Sequence, residues 1–130
     1  MIEEFKVGVG KLHLVGTSCK RLRLPITSVW AWSAEFEGTP PEETWTVFIH
    51  PVEPINICVW SPIYVGVLME EANRFLVPGM RFYLSTGNWV VGDGELVAPS
   101  ERFGEGVIEH VRQVSPEVFK ELFGDPLQLL

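Results

Sequence analysis

The 130-residue chain carries a formal net charge of −7, from 17 Asp and Glu against 10 Lys and Arg, and 46% of its residues are hydrophobic. This composition excludes an intrinsically disordered chain, and no run reaches the roughly 18 apolar residues of a membrane span. The acidic balance disfavours nucleic acid as a general ligand and favours a basic protein partner.

The N-terminus and the cysteines favour a cytoplasmic location. Residues 1–6 lack the basic start and the unbroken apolar stretch of a signal peptide. Cys19 and Cys58 are too few for the disulfide framework of a small secreted domain, so we expect two reduced thiols. We expect residues 1–130 to form one domain, and the sequence does not define an oligomeric state.

The first predicted strand covers residues 5–15, where glycines interrupt an alternating pattern and favour a bulge or bend. Gly8 to Lys11 is similar to part of a phosphate loop, but Phe5 and Leu12 stand where that motif needs Gly and Ser or Thr. No nucleotide site is therefore predicted. A short basic patch follows, with Lys20, Arg21 and Arg23.

Two strands separated by a proline-containing turn come next. Residues 29–37 alternate with a period of two, residues 38–43 form the predicted turn, and residues 44–50 continue as strand. The side chains expected to face the core from these strands are Trp30, Trp32, Ala34, Phe36, Trp45, Val47 and Ile49.

The second half of the chain predicts further short strands at 55–60 and 63–69, with a helical turn or loop at 70–76. Residues 80–97 predict a hairpin with a turn over 85–88. Its return strand contains two glycines, which indicate a sharp bend or a close backbone approach. A helix is predicted at about 115–124, with Ser115 as N-cap, Pro116 at its first position and Gly124 at its end. The predicted fold class is mainly β, a closed six- or seven-stranded antiparallel barrel with a short C-terminal helix.

The predicted hairpin contains a spaced set of apolar residues and glycines, namely Phe82, Leu84, Gly87, Val91, Gly92, Gly94 and Leu96. This spacing resembles the last hairpin of the C-terminal β-barrel domain of elongation factor Tu. The family has Arg-Glu where this chain has Ser85-Thr86, and the chain contains no G-x-x-x-x-G-K-[ST] motif for a GTPase domain. The resemblance implies a stand-alone translation-factor-type barrel, whose relatives contact proteins and RNA through the barrel surface.

An acidic segment provides the candidate binding residues. Residues 24–73 contain seven Glu and no Lys or Arg. Such residues are ordinary solvated carboxylates in most proteins, but a segment of one sign also suits a basic partner. The predicted partner-binding residues are Glu35, Glu37, Glu42, Glu43 and Glu53.

No motif indicates catalysis, and we expect no catalytic residue, metal site or cofactor. His13, His50 and His110 lie far apart, without ligands at metal-site spacing. Neither cysteine lies in a nucleophile motif, although a spatial pair of Cys58 and His50 stays open.

Three functions therefore compete. The first is a neutralising or immunity-type protein that sequesters a basic toxin domain. The second is a translation-associated barrel that binds a translation factor, a ribosomal protein, or RNA through its basic patch. The third is an enzyme whose site is assembled only in three dimensions.

Overall fold

A computed structural model describes residues 5–15, 24–40, 42–86, 89–97, 112–114 and 116–124. None of the helices in these ranges has the length and apolarity that crossing a membrane requires. In chain order, the elements are β1 (Phe5–Leu14), β2 (Trp30–Phe36), β3 (Trp45–Pro51), β4 (Trp60–Val67), a 3₁₀ helix (Glu70–Phe75), β5 (Arg81–Thr86), β6 (Trp89–Leu96), β7 (Arg112–Val114) and α1 (Pro116–Phe123).

The sheet closes into an antiparallel barrel of six strands, which confirms the predicted fold class. The strand order is β4-β3-β2-β5-β6-β1, and β1 pairs with β4 to complete the cylinder. The short β7 adds to the first residues of β1, from Phe5 to Val7. Closure leaves the six main strands without a free edge, which removes a common route to aggregation.

The strands form because their alternating sequences place one apolar face inside the barrel. Trp32, Ala34 and Phe36 are buried as predicted, but Trp30 is 39% exposed because it lies at the first position of β2, at the barrel end. Trp30 instead stacks on Trp32, with ring centroids 5.7 Å apart. The core prediction for Trp30 is therefore wrong.

Glycines let neighbouring strands approach closely on β6. A β carbon at Gly92 would overlap the backbone oxygen of His13, and one at Gly94 would overlap the ring of Phe82. The close approach predicted for this strand is therefore present. The hairpin differs from its prediction at the turn, because β5 continues through Ser85 and Thr86.

A second apolar cluster lies outside the barrel, beneath α1. The helix contacts β1, β3 and β4, and it ends before Gly124, whose φ of +77° suits a residue that stops a helix. Phe48, which the alternation of β3 directs away from the interior, is fully buried here. The predicted helix is confirmed, while its expected N-cap, Ser115, lies outside the described residues.

The predicted strand at 55–60 is wrong. This segment makes only isolated bridges, from Ile55 to Ile26 and from Ile57 to Leu14. Cys58 then adopts a φ of +63°, which is incompatible with an extended strand. The following strand begins at Trp60, earlier than predicted, and runs through Pro62.

Candidate functional site

Two rows of outward-facing side chains cross the barrel on the strands β2, β5, β6 and β1, and the first row continues onto β4. In the first row, Tyr83 lies in register between Glu35 and Asp93, and Asp93 pairs across β1 with His13. His13 in turn pairs with Trp60 on β4. These five residues form a continuous polar and aromatic band on the outer surface.

The second row runs parallel to the first, two residues away on each strand. Glu95 lies in register between Arg81 and Lys11. The backbone N–H of Glu37, just beyond the end of β2, donates to the carbonyl of Arg81. We call the two rows together the outer wall: Glu35, Tyr83, Asp93, His13, Trp60, Glu37, Arg81, Glu95 and Lys11.

The outer wall is net acidic. It carries four carboxylates, at Glu35, Glu37, Asp93 and Glu95, against the two permanent cations Lys11 and Arg81. His13 adds a charge only when it is protonated. A cationic surface would therefore be attracted to this wall.

Two aromatic side chains of the wall remain substantially exposed. Tyr83 is 52% exposed and Trp60 is 45% exposed. Between them lies a cleft of about 250 Å³, lined by these two rings together with Arg81, Phe82, Asp93, Gly94 and Glu95. Exposed rings beside charged groups are typical of protein recognition sites, where Tyr and Trp supply much of the binding energy.

Contacts beneath Trp60 hold its ring in place. The ring centroid lies 5.3 Å from that of His13, and Lys11 Nζ lies 5.2 Å from the centroid of Trp60. His13 Nδ1 is also 3.4 Å from Asp93 Oδ1. The first row is therefore linked by side-chain contacts from β4 to β6.

The structure separates the five glutamates that were predicted to bind a partner. Glu35 and Glu37 belong to the outer wall, whereas Glu42 and Glu43 lie in the loop between β2 and β3. Glu53 follows the far end of β3, roughly 20 Å from that loop at the usual rise per strand residue. The five residues therefore do not form one surface.

Glu43 is occupied by intramolecular contacts. Its Oε1 accepts a hydrogen bond from Trp45 Nε1 at 3.0 Å and lies 3.4 Å from Arg74 Nη2. The guanidinium of Arg74 also lies over the rings of Trp45 and Phe75. Glu43 thus joins the β2–β3 loop to the 3₁₀ helix, which is a structural role.

The other predicted residues fall into three groups. Lys20, Arg21, Arg23 and Gly87 lie outside the described residues. Cys58 is exposed and precedes Trp60, the first residue of β4. His50 pairs with Tyr64, which lies roughly 13 Å along β4 from Trp60. The register of β3 and β4 therefore does not bring Cys58 and His50 together. The buried apolar residues of the hairpin face the interior and shape the barrel: Phe82, Leu84, Val91 and Leu96.

The described residues contain no group of three or more His, Cys, Asp or Glu side chains placed to hold a metal ion. The pair of His13 and Asp93 could hold or transfer a proton, but His13 packs against Trp60 and the residues lining the cleft include no Ser or Cys nucleophile. The arrangement supplies groups for binding, namely carboxylates, a guanidinium and two aromatic faces.

Sequence reasoning predicted only Glu35 and Glu37 as binding residues and missed the other seven of the nine wall residues, because they are distant in the chain. Tyr83 carried one available signal, since it occupies an exposed position between two buried residues of β5. Trp60 carried no such signal, because the residues that follow it in β4 are all buried. The meeting of Trp60 and Tyr83 depends on the register in which the four strands β4, β1, β6 and β5 pair, and no local pattern specifies that register.

Comparison with protein-family models, with curated proteins and with solved structures finds no match to this chain. The resemblance to the elongation factor Tu barrel therefore stays a prediction.

Proposed function

We propose that this chain is a non-enzymatic protein-binding module that captures a cationic protein on its outer wall. The observation that carries the proposal is the position of Tyr83, half exposed and in register between Glu35 and Asp93. An aromatic anchor flanked by carboxylates suits a partner surface that combines basic groups with an apolar patch.

The net charge of −7 supports the same conclusion at long range. A small acidic protein attracts a basic partner during diffusion, and the wall then supplies the local complementarity. Neutralisation of a basic toxin domain is the form of this function that we propose first, because a tight inhibitor needs both fast association and aromatic anchors.

The other two hypotheses have less support. RNA or ribosome binding by a translation-associated barrel depends on Lys20, Arg21 and Arg23, which lie outside the described residues, and it stays a prediction. Among the residues that the structure describes, an enzymatic function would rest on the pair of His13 and Asp93. The half-exposed Trp60 and Tyr83 beside them favour recognition over a reaction that needs exclusion of water.

The proposal can be tested by comparative affinity capture from the native host. Immobilised wild-type protein should retain at least one basic protein that the variant Glu35→Gln, Glu37→Gln, Tyr83→Ala loses. The control is Glu53→Gln, which removes one charge just beyond the C-terminal end of β3, outside the outer wall. This control variant should retain the same basic protein.

The captured protein, once purified, should bind with an affinity that falls steeply as salt increases. The triple variant should show lower affinity and a shallower salt dependence, because it has lost both charges and the anchor. Capture that is equal for all three proteins, or insensitive to salt, would contradict the proposal.

A further inference from the structure

We propose that the cleft between Trp60 and Tyr83 binds one arginine side chain of the partner, an inference that rests on the proposed function. The size of the cleft suits a single side chain. A cleft of about 250 Å³ is smaller than the roughly 300 Å³ at which sites that enclose drug-sized ligands begin. One planar side chain presented by a larger partner fits a space of this kind.

The charge of the cleft favours a cationic side chain. Asp93 and Glu95 both line it, and as outward-facing residues two apart on one strand their β carbons lie roughly 7 Å from each other. Arg81 is the one cation among the lining residues. Two carboxylates against one guanidinium leave the cleft negative and able to accept a second cation.

The contacts of Glu95 leave its carboxylate open to a ligand. Although Glu95 lies in register between Lys11 and Arg81, its carboxylate makes no hydrogen bond or ion pair with any side chain in the described part of the molecule. Lys11 directs its Nζ over the ring of Trp60 instead. The Glu95 carboxylate is therefore available to an incoming donor, while Asp93 is held by His13.

Arginine fits these groups better than lysine or a neutral ring. Its flat guanidinium can stack against an aromatic face and donate two parallel hydrogen bonds to a carboxylate. The lysine ammonium is a compact and strongly hydrated charge that cannot do both. A neutral sugar could contact the rings, but it would gain little from the excess of carboxylates.

The test uses three short peptides, acetyl-Gly-X-Gly-amide with X as arginine, lysine or citrulline, titrated into the full chain and followed by amide and indole NMR signals. The arginine peptide should shift the signals of Trp60, Tyr83 and Gly94. It should bind at least fivefold more tightly than the lysine peptide and at least tenfold more tightly than the citrulline peptide, which has nearly the same shape but no charge.

Variants locate the site. Glu95→Gln and Tyr83→Leu should each weaken arginine-peptide binding at least fivefold. Val90→Ala removes part of an exposed apolar side chain from the same strand as Glu95 but outside the cleft lining, and it should leave binding unchanged. Equal binding of the citrulline peptide, or of methyl glucoside at the same residues, would overturn the inference.

The outcome is separable from that of the proposed function. The triple wall variant could lose protein capture while no peptide shifts the NMR signals of the cleft residues. That result would overturn the arginine site and support the protein-binding wall. Peptide binding with the expected preference, without capture of any basic protein, would support the arginine site and contradict the proposed partner.

Discussion

Gly94 on β6 lies directly against the ring of Phe82 on β5, so closely that an added β carbon would come within 3.0 Å of the ring. The two residues are paired in register, and the buried Phe82 ring also packs on Phe36, with centroids 6.0 Å apart. The glycine therefore makes room for an aromatic ring inside the barrel.

We predict that Gly94→Ala lowers the free energy of unfolding by about 2 to 3 kcal/mol, because overpacking forces the ring or the backbone to move. Chemical denaturation should measure the loss. Gly8→Ala is the control, since its β carbon would meet the flexible end of Leu96 at 3.0 Å, and it should cost less. Equal stability of Gly94→Ala and wild type would show that the interior is loosely packed.

A second prediction concerns the attachment of α1 to the barrel. Phe123 is fully buried and contacts Phe119 and Phe48, with ring centroids 4.8 Å and 6.4 Å away. Phe123→Ala should lower the free energy of unfolding by about 3 kcal/mol, the usual cost of removing a buried aromatic ring.

Hydrogen exchange should show where this stability is lost. Because α1 packs on the outside of β1, β3 and β4, the variant should expose amides of the helix before those of the barrel strands. Lys120→Ala changes an exposed residue of the same helix and should stay within about 0.5 kcal/mol of wild type. Uniform loss of protection in helix and barrel would instead indicate a single cooperative unit.

The barrel was predictable from the sequence because its signals are local. Alternation identified β2 and β3, and glycine spacing on β6 indicated the close approach that Gly92 and Gly94 make. The segment at 55–60 has the same alternation of apolar residues, yet Cys58 adopts a positive φ that interrupts the extended backbone. An alternating sequence does not indicate which residue will adopt a positive φ. Local pattern thus specifies strands better than their interruptions.

The outer wall was not predictable in the same way. Glu35, Asp93 and His13 come together only because β2, β5, β6 and β1 pair in one particular register. A shift of one residue in any strand would turn its wall side chain toward the interior. The acidic segment suggested a binding face, but the fold distributes its members between the wall, a loop and the opposite end.

A third prediction follows from the surroundings of His50. Its ring stacks on Tyr64 and meets Phe123 edge-on, with centroids 5.7 Å and 6.4 Å away. The buried Nδ1 has no hydrogen-bond partner among the described residues. A buried polar atom without a partner costs about 1 to 3 kcal/mol.

We therefore expect His50→Phe to raise the free energy of unfolding by about 1 kcal/mol, since it keeps an aromatic ring and removes the polar atom. Thermal and urea unfolding should both show the gain. His13→Phe is the matched control, because it removes a nitrogen that contacts Asp93, and it should give no increase. A lower stability of His50→Phe would show that the imidazole nitrogen is satisfied in solution.

The last prediction separates Glu43 from the residues proposed to bind a partner. Its carboxylate accepts the indole N–H of Trp45 and contacts Arg74 on the 3₁₀ helix. Glu42, its neighbour, is exposed and makes no hydrogen bond or ion pair with the described residues. We expect Glu43→Ala to lower the free energy of unfolding by about 1 kcal/mol, mostly through the hydrogen bond from Trp45, because an exposed ion pair adds little.

Glu42→Ala should leave stability unchanged within about 0.5 kcal/mol, and neither substitution should alter capture of the basic partner as strongly as the wall variant does. Urea unfolding and affinity capture on the same two proteins make the comparison direct. If Glu43→Ala abolished capture at full stability, the β2–β3 loop would have to be part of the binding surface, and the recognition site would extend from the outer wall to that end of the barrel.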